Sequence, residues 1–139
     1  MKVKKLFNHS QLPHKAHAGD LGYDLFASED AVIFAGDTKL VRTGIAIQFP
    51  EGYGGLLRDR SSVATKRRLF VVAGVIDNGY TGEILVALHN STENGQVVKA
   101  GEKIAQLILV PTVDFSVEEV PEILSSDGRS DRGFGSTGT

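Results

Sequence analysis

The clearest pattern in the chain is alternation. Val41, Thr43, Ile45, Ile47 and Phe49 stand at odd positions, with Arg42, Gly44, Ala46 and Gln48 between them. Successive side chains of a strand point to opposite faces, so a period of two predicts a half-buried strand. Shorter β-branched or aromatic-rich runs at 2–7, 69–73, 84–88, 104–110 and 115–120 predict further strands. Turn residues punctuate them at Pro50-Glu51-Gly52, Asn78-Gly79 and Asn94-Gly95. Many short strands with such turns predict an all-β sandwich, jelly roll or barrel.

One stretch reads as a short helix. Ser61 or Ser62 is the expected cap, Val63-Ala64-Thr65 continue it, and Lys66-Arg67-Arg68 fall at its negative end. Residues 1–126 read as one domain. Residues 127–139 are rich in glycine and hydroxyl side chains with a single aromatic, Phe134, too little apolar surface to order a segment, so a mobile tail is expected.

Composition narrows the function classes. The 139 residues include no cysteine, which excludes disulfides, thiolate nucleophiles and cysteine-based zinc sites. A net charge of −2 argues against a nucleic-acid partner, which needs a basic surface. No apolar run approaches the roughly 20 residues of a membrane helix, so no membrane partner is expected. The start, Met1-Lys2-Val3-Lys4-Lys5-Leu6-Phe7, has no hydrophobic signal core, and a cytoplasmic location is expected.

Three places carry candidate chemistry. Asn78-Gly79 between strand-like runs predicts a tight type I′ hairpin turn, which brings Asp77 and Tyr80 together at the end of a ribbon. An acid beside an aromatic ring suits a general base next to a sugar or base platform; a solvated Asp and a packing Tyr explain the same letters. Arg60-Ser61-Ser62 precedes the helix, where unpaired backbone N–H groups and a forked guanidinium favour phosphate oxygens; a plain cap with a surface Arg is the alternative. In Arg129-Ser130-Asp131-Arg132-Gly133-Phe134-Gly135-Ser136-Thr137-Gly138 the glycines permit a nest of N–H groups for an anion, and Phe134 offers a stacking face; a flexible terminus is the alternative. His14 and His17 lie three apart with no helix to align them, so no metal pair is expected. An acid with a Tyr and two anion-binding segments together suit a nucleotide bearing a polyphosphate.

At these residues the chain resembles the homotrimeric dUTPases, whose five ordered motifs all have counterparts over about residues 18–138. The first is similar to Ala18-Gly19-Asp20-Leu21-Gly22-Tyr23-Asp24-Leu25-Phe26-Ala27, the second to Arg60-Ser61-Ser62-Val63-Ala64 and the third to residues 74–82. The fourth resembles Gly101-Glu102-Lys103-Ile104-Ala105-Gln106-Leu107-Ile108, and the fifth runs over 129–138. The resemblance implies a jelly roll with one short helix, assembled as a homotrimer with three shared active sites. One chain would supply the first, second and fourth motifs, a neighbour the third, and the third chain its tail. It also implies hydrolysis of dUTP to dUMP and pyrophosphate with Mg²⁺, which keeps uracil out of DNA and supplies dUMP for thymidylate synthesis.

Residue roles follow from the same resemblance. Asp77 would orient and deprotonate the attacking water, and Asp24 would reach Mg²⁺ through a water while the ion sits mainly on the substrate phosphates. Ser61, Ser62 and Gln106 would hold the α and β phosphates, with Arg60 steadying that loop. Backbone groups at Gly74, Val75, Ile76 and Leu85 would read the uracil edge, and Tyr80 would pack on deoxyribose. Arg129, Gly135, Ser136 and Thr137 would close over the γ-phosphate, with Phe134 stacked on uracil.

Three positions depart from the family pattern. Ser62 replaces a usual Gly, Asp59 adds a negative charge expected to weaken anion binding slightly, and Arg132 stands where Gly is frequent. The related dCTP deaminases carry a catalytic Glu on the strand after the hairpin, where this chain has Ala87. A nucleotide-binding module without turnover has no need of Asp77, and a ligand-free structural jelly roll has no need of the five motifs.

Overall fold

Alternation becomes burial along the longest strand of the computed structural model, which describes residues 1–123. In β4 (Thr38–Gln48), Val41, Thr43, Ile45 and Ile47 are buried, as is Phe49 just beyond it. Gly44 is buried too, because the strand bulges there. Thr43, Gly44 and Ile45 stand opposite the single residue Ile84, and an excess of two keeps the inward parity intact. Gly44 takes a left-handed φ of +66° in this bulge, and a Cβ there would strike Phe7 and Ser10.

The other elements are β1 (Lys2–Lys5), β2 (Tyr23–Phe26), β3 (Ala31–Ile33), β5 (Tyr53–Arg58), α1 (Ser61–Arg67), β6 (Leu69–Val71), β7 (Val75–Ile76), β8 (Glu83–Asn90), β9 (Gln96–Val98) and β10 (Lys103–Pro111). They form two four-stranded sheets, in the orders β1-β4-β8-β6 and β2-β10-β5-β7, and a two-stranded ribbon of β3 and β9. Every pairing is antiparallel. The fold is a jelly roll with its core between the sheets. Ile45, Ile47, Ile84, Val86 and Leu88 from one sheet meet Leu25, Leu57, Ala105 and Leu107 from the other. Each large aliphatic side chain so buried contributes about 1.5–3 kcal/mol. No helix among the described residues is long and apolar enough to cross a membrane.

Three expectations are corrected. First, β7 and β8 do not form a hairpin: β7 pairs with β5 and β8 with β4 and β6, so the connection passes from one sheet to the other. The turn is present, closed by Tyr80 N–H donating to Asp77 O at 3.1 Å, but neither Asn78 nor Gly79 has positive φ, so it is not type I′. Asn78 is selected by its amide instead, which donates to Pro50 O at 2.8 Å and Tyr53 O at 2.6 Å. Second, the helix cap is Arg60, in extended conformation and without a side-chain cap bond, and the helix begins at Ser61. Third, residues 115–120 form no strand. A strand requires a partner ladder, and within one chain Val113, Phe115 and Val117 stay 68%, 82% and 100% exposed.

Candidate functional site

The central strand of the second sheet assembles the first cluster. Gln106 on β10 stands opposite Asp24 on β2 and opposite Arg58 on β5. The chain leaves β5 through Asp59 and Arg60 into α1, so residues near 24, 60 and 106 converge although far apart in sequence. They line a polar cleft of about 330 Å³ that includes Gly22, Asp24, Arg60, Ser61, Ser62 and Gln106.

Asp24 organises this cleft. Its Oδ1 accepts from Arg60 Nε at 2.8 Å and its Oδ2 from Lys103 Nζ at 2.7 Å. Burial alone would raise its pKa, but the hydrogen bonds and charges of Lys103 and Arg60 outweigh that and hold the carboxyl below its ordinary value. Gln106 braces the same loop, donating from Nε2 to Asp59 O at 2.8 Å. A Cβ at Gly22 would collide with the Gln106 side chain, so glycine there permits the two strands to close.

Asp59 does not aim its charge at the cleft. Its Oδ1 accepts from Val71 N–H at 2.5 Å, which ties the loop to β6. The first intrahelical bonds come from Val63 and Ala64 to Arg60 O at 3.0 and 2.9 Å, so the N–H groups of Ser61 and Ser62 precede the ladder. Both serines are exposed and line the cleft, so Ser62 offers the same backbone donor that glycine would. The cleft is suited to hold an anion with several oxygens.

A second pocket of about 200 Å³ lies among Val75, Ile76, Asp77, Tyr80, Glu83 and Leu85. It adjoins an apolar hollow of about 310 Å³ that shares Val75, Ile76 and Leu85 and adds Gly74. Strand β7 ends its sheet and pairs only with β5, so its outer edge keeps backbone donors and acceptors for a ligand. Gly74 O accepts from Leu57 N–H at 2.7 Å, and a Cβ on Gly74 would come within 2.6 Å of Leu57 O. Tyr80 donates its hydroxyl to Glu83 O at 3.0 Å, and its ring lies where a Cβ on Gly82 would stand.

The structure therefore brings Asp24, Arg60, Ser61, Ser62 and Gln106 into one cleft and Val75, Ile76, Asp77, Tyr80 and Leu85 into another. The two share no lining residue. Arg129, Arg132, Phe134, Gly135, Ser136 and Thr137 lie outside the described residues. Sequence reasoning passed over Lys103, the second cation on Asp24, and the bracing roles of Gly22 and Asp59. Lys103 stands opposite Phe26 and reaches Asp24 diagonally across β10 and β2, a contact that no local sequence pattern carries.

Comparisons with known proteins point to a single family. The family profile described as dUTPase matches residues 8–138. The deoxyuridine 5′-triphosphate nucleotidohydrolase of Clostridioides difficile is 44% identical over 140 residues, covering 99% of this chain and 97% of that one. Among solved structures, the dUTPase of Staphylococcus bacteriophage 80alpha with dUpNHpp superposes with a TM-score of 0.91 at 31% identity, covering 99% of this chain and 98% of that one. A point variant of the dUTPase of S. aureus phage phi11, described as revealing the coordination of a structural Mg(II) ion, gives a TM-score of 0.82 at 28% identity, covering 89% of this chain and 98% of that one.

Proposed function

This chain belongs to the dUTPase family and is a hydrolase acting on dUTP; we propose that it cleaves the nucleotide at the α-phosphorus, in a site shared between chains of a homotrimer. The observation that carries the proposal is the convergence of Asp24, Arg60, Ser61, Ser62 and Gln106 on one polar cleft, apart from the pocket that holds Asp77 and Tyr80. The cleft takes the phosphates and the second pocket takes the nucleoside. A substrate touching both is best served by two chains, with the third contributing its terminal motif. The exposed Val113, Phe115 and Val117 favour association as well, since isolated chains leave them in water.

The steps use residues already described. Ser61 and Ser62 offer hydroxyl and backbone donors to the α and β phosphates, and Gln106 holds the loop that presents them. Asp77 orients a water for in-line attack and takes its proton as the new P–O bond forms. The bond from the α-phosphorus to its bridging oxygen breaks, and dUMP and pyrophosphate leave. Backbone groups at Gly74, Val75, Ile76 and Leu85 read the uracil edge; cytosine would leave them mispaired, at a cost of about 1–3 kcal/mol. Tyr80 packs on the deoxyribose. Arg129, Phe134, Gly135, Ser136 and Thr137 are assigned the γ-phosphate and uracil contacts on motif spacing alone.

The donor set fits Mg²⁺ delivered on the substrate. Both Asp24 oxygens already hold cations, and no three His, Asp or Glu side chains converge among the described residues. Magnesium keeps most of its waters and uses one or two carboxylates beside phosphate oxygens, which leaves Asp24 an outer contact through water. When bound, the ion supplies Lewis-acid stabilisation of the charge that develops on pyrophosphate. A cytoplasmic location goes with a free nucleotide substrate.

The test is pyrophosphate release with Mg²⁺ from dUTP, run beside dCTP, dTTP and UTP. Release from dUTP in clear excess is the expected result. Equal release from all four would remove the assignment of the second pocket to uracil and deoxyribose.

A further inference from the structure

An ion pair joins Glu83, which lines the nucleoside pocket, to Arg42 on β4 and has no part in the steps above. Arg42 on β4 donates from Nε to Glu83 Oε2 at 3.0 Å and from Nη2 to the same oxygen at 2.9 Å, with a longer contact of 3.3 Å to Oε1. Oε1 also accepts from Gly44 N–H at 2.8 Å, in the bulge of β4. The Glu83 side chain is only 16% exposed, and the Phe7 ring covers Arg42 at 4.7 Å from its centroid. The carboxylate of Glu83 is thus fixed to β4 by three N–H groups, while its backbone carbonyl accepts the Tyr80 hydroxyl.

We infer that Arg42 and Glu83 form a positioning device that holds Tyr80 against the sugar and thereby sets discrimination between 2′-deoxy and 2′-hydroxy nucleotides. The inference rests on the reading of Tyr80 as the deoxyribose platform. The ring has two constraints, the close approach of Gly82 and the hydroxyl bond to Glu83 O. Glu83 is the first residue of β8, and its backbone pairs on one side only, with Ala46 of β4. The side chain's bonds to Arg42 and Gly44 add a second hold on that end of the strand. Without Arg42 the carboxylate loses its charged partner, the Glu83 carbonyl shifts, and Tyr80 yields the space a 2′-hydroxyl needs.

The experiment measures kcat and KM for dUTP and UTP in Arg42→Gln, Arg42→Lys, Tyr80→Phe, Tyr80→Ala and the Arg42→Gln/Tyr80→Phe double variant. Arg42→Gln is expected to raise the UTP-to-dUTP ratio of kcat/KM about three- to tenfold, the size of one weakened hydrogen bond, and chiefly through KM. Arg42→Lys restores part of the discrimination. In the Tyr80→Phe background, where the hydroxyl bond is already gone, Arg42→Gln adds little. A merely structural role would lower Tm and slow both substrates together, with the ratio unmoved. That unmoved ratio in folded Arg42→Gln, with Tyr80→Ala raising it, overturns the inference alone. An unmoved ratio in Tyr80→Ala overturns the sugar-platform reading and the inference with it.

Discussion

Arg60 donates through Nε to Oδ1 of Asp24 at 2.8 Å, and this contact joins the start of the helix to a strand at the edge of the second sheet. Since Lys103 takes the other oxygen at 2.7 Å, one carboxylate of the polar cleft fixes two cations. On the proposed reading, the substrate phosphates would meet an Arg60 already held in place by Asp24, rather than a side chain that must be ordered on binding.

Asp24 gives stability that depends on pH. Its folded pKa lies below the ordinary carboxylate value, so its contribution is fully present above about pH 4 and is lost as pH falls through the folded pKa. Asp24→Asn is expected to lower unfolding stability by about 1–3 kcal/mol near neutrality, because Arg60 and Lys103 lose a charged acceptor. The gap between variant and wild type narrows on acidification below about pH 4. Urea unfolding across that range measures it, and a gap that is constant with pH would contradict the assignment.

Asp77 is the proposed base, and Asp77→Asn separates chemistry from binding. Turnover is expected to fall by about 10²–10⁴-fold, the usual contribution of a general base, with dUTP still bound. Calorimetric titration with dUTP beside a pyrophosphate-release assay tests both halves. Retained turnover would remove Asp77 from that role.

Gly74 tests the close approach of β7 to β5. A Cβ there would come within 2.6 Å of the backbone oxygen of Leu57, which cannot rotate away as a side chain can. Gly74→Ala is expected to displace the edge proposed to read uracil, raising KM for dUTP at least about tenfold, while stability falls by about 1–3 kcal/mol as an overpacked contact does. An unchanged KM would show that the edge tolerates the shift.

The strand pattern was legible because burial repeats with a short period. Val41 to Phe49 alternate by residue type, and even the bulge at Gly44 leaves the parity intact. The destination of each strand was not legible. Asn78-Gly79 has the letters of a hairpin, yet Asn78 bonds to Pro50 and Tyr53, and the strands on either side join different sheets. Ser61 has the letters of a cap, but Asp24 holds Arg60 at the helix start from 36 residues away, and Arg60 takes the cap position. Residues 115–120 have the letters of a strand and no ladder inside one chain. Candidate chemistry at Asp77, Arg60 and Ser61 could be read from local spacing. The partnerships of Asp24 with Lys103 and of Glu83 with Arg42 depend on register between strands distant in sequence.

The central claim is that one active site draws its phosphate cleft and its base from different chains. Two variants, each defective in one half, test it most directly: Asp77→Asn, and Ser61→Asp, which repels phosphate while an acid in the first helical turn keeps α1 stable. Mixed, unfolded and refolded together, they are expected to regain roughly a quarter of wild-type dUTP hydrolysis, the share of intact sites that random assortment in a symmetric oligomer leaves. Activity no greater than the sum of the two variants alone would contradict a shared site and place both halves within one chain.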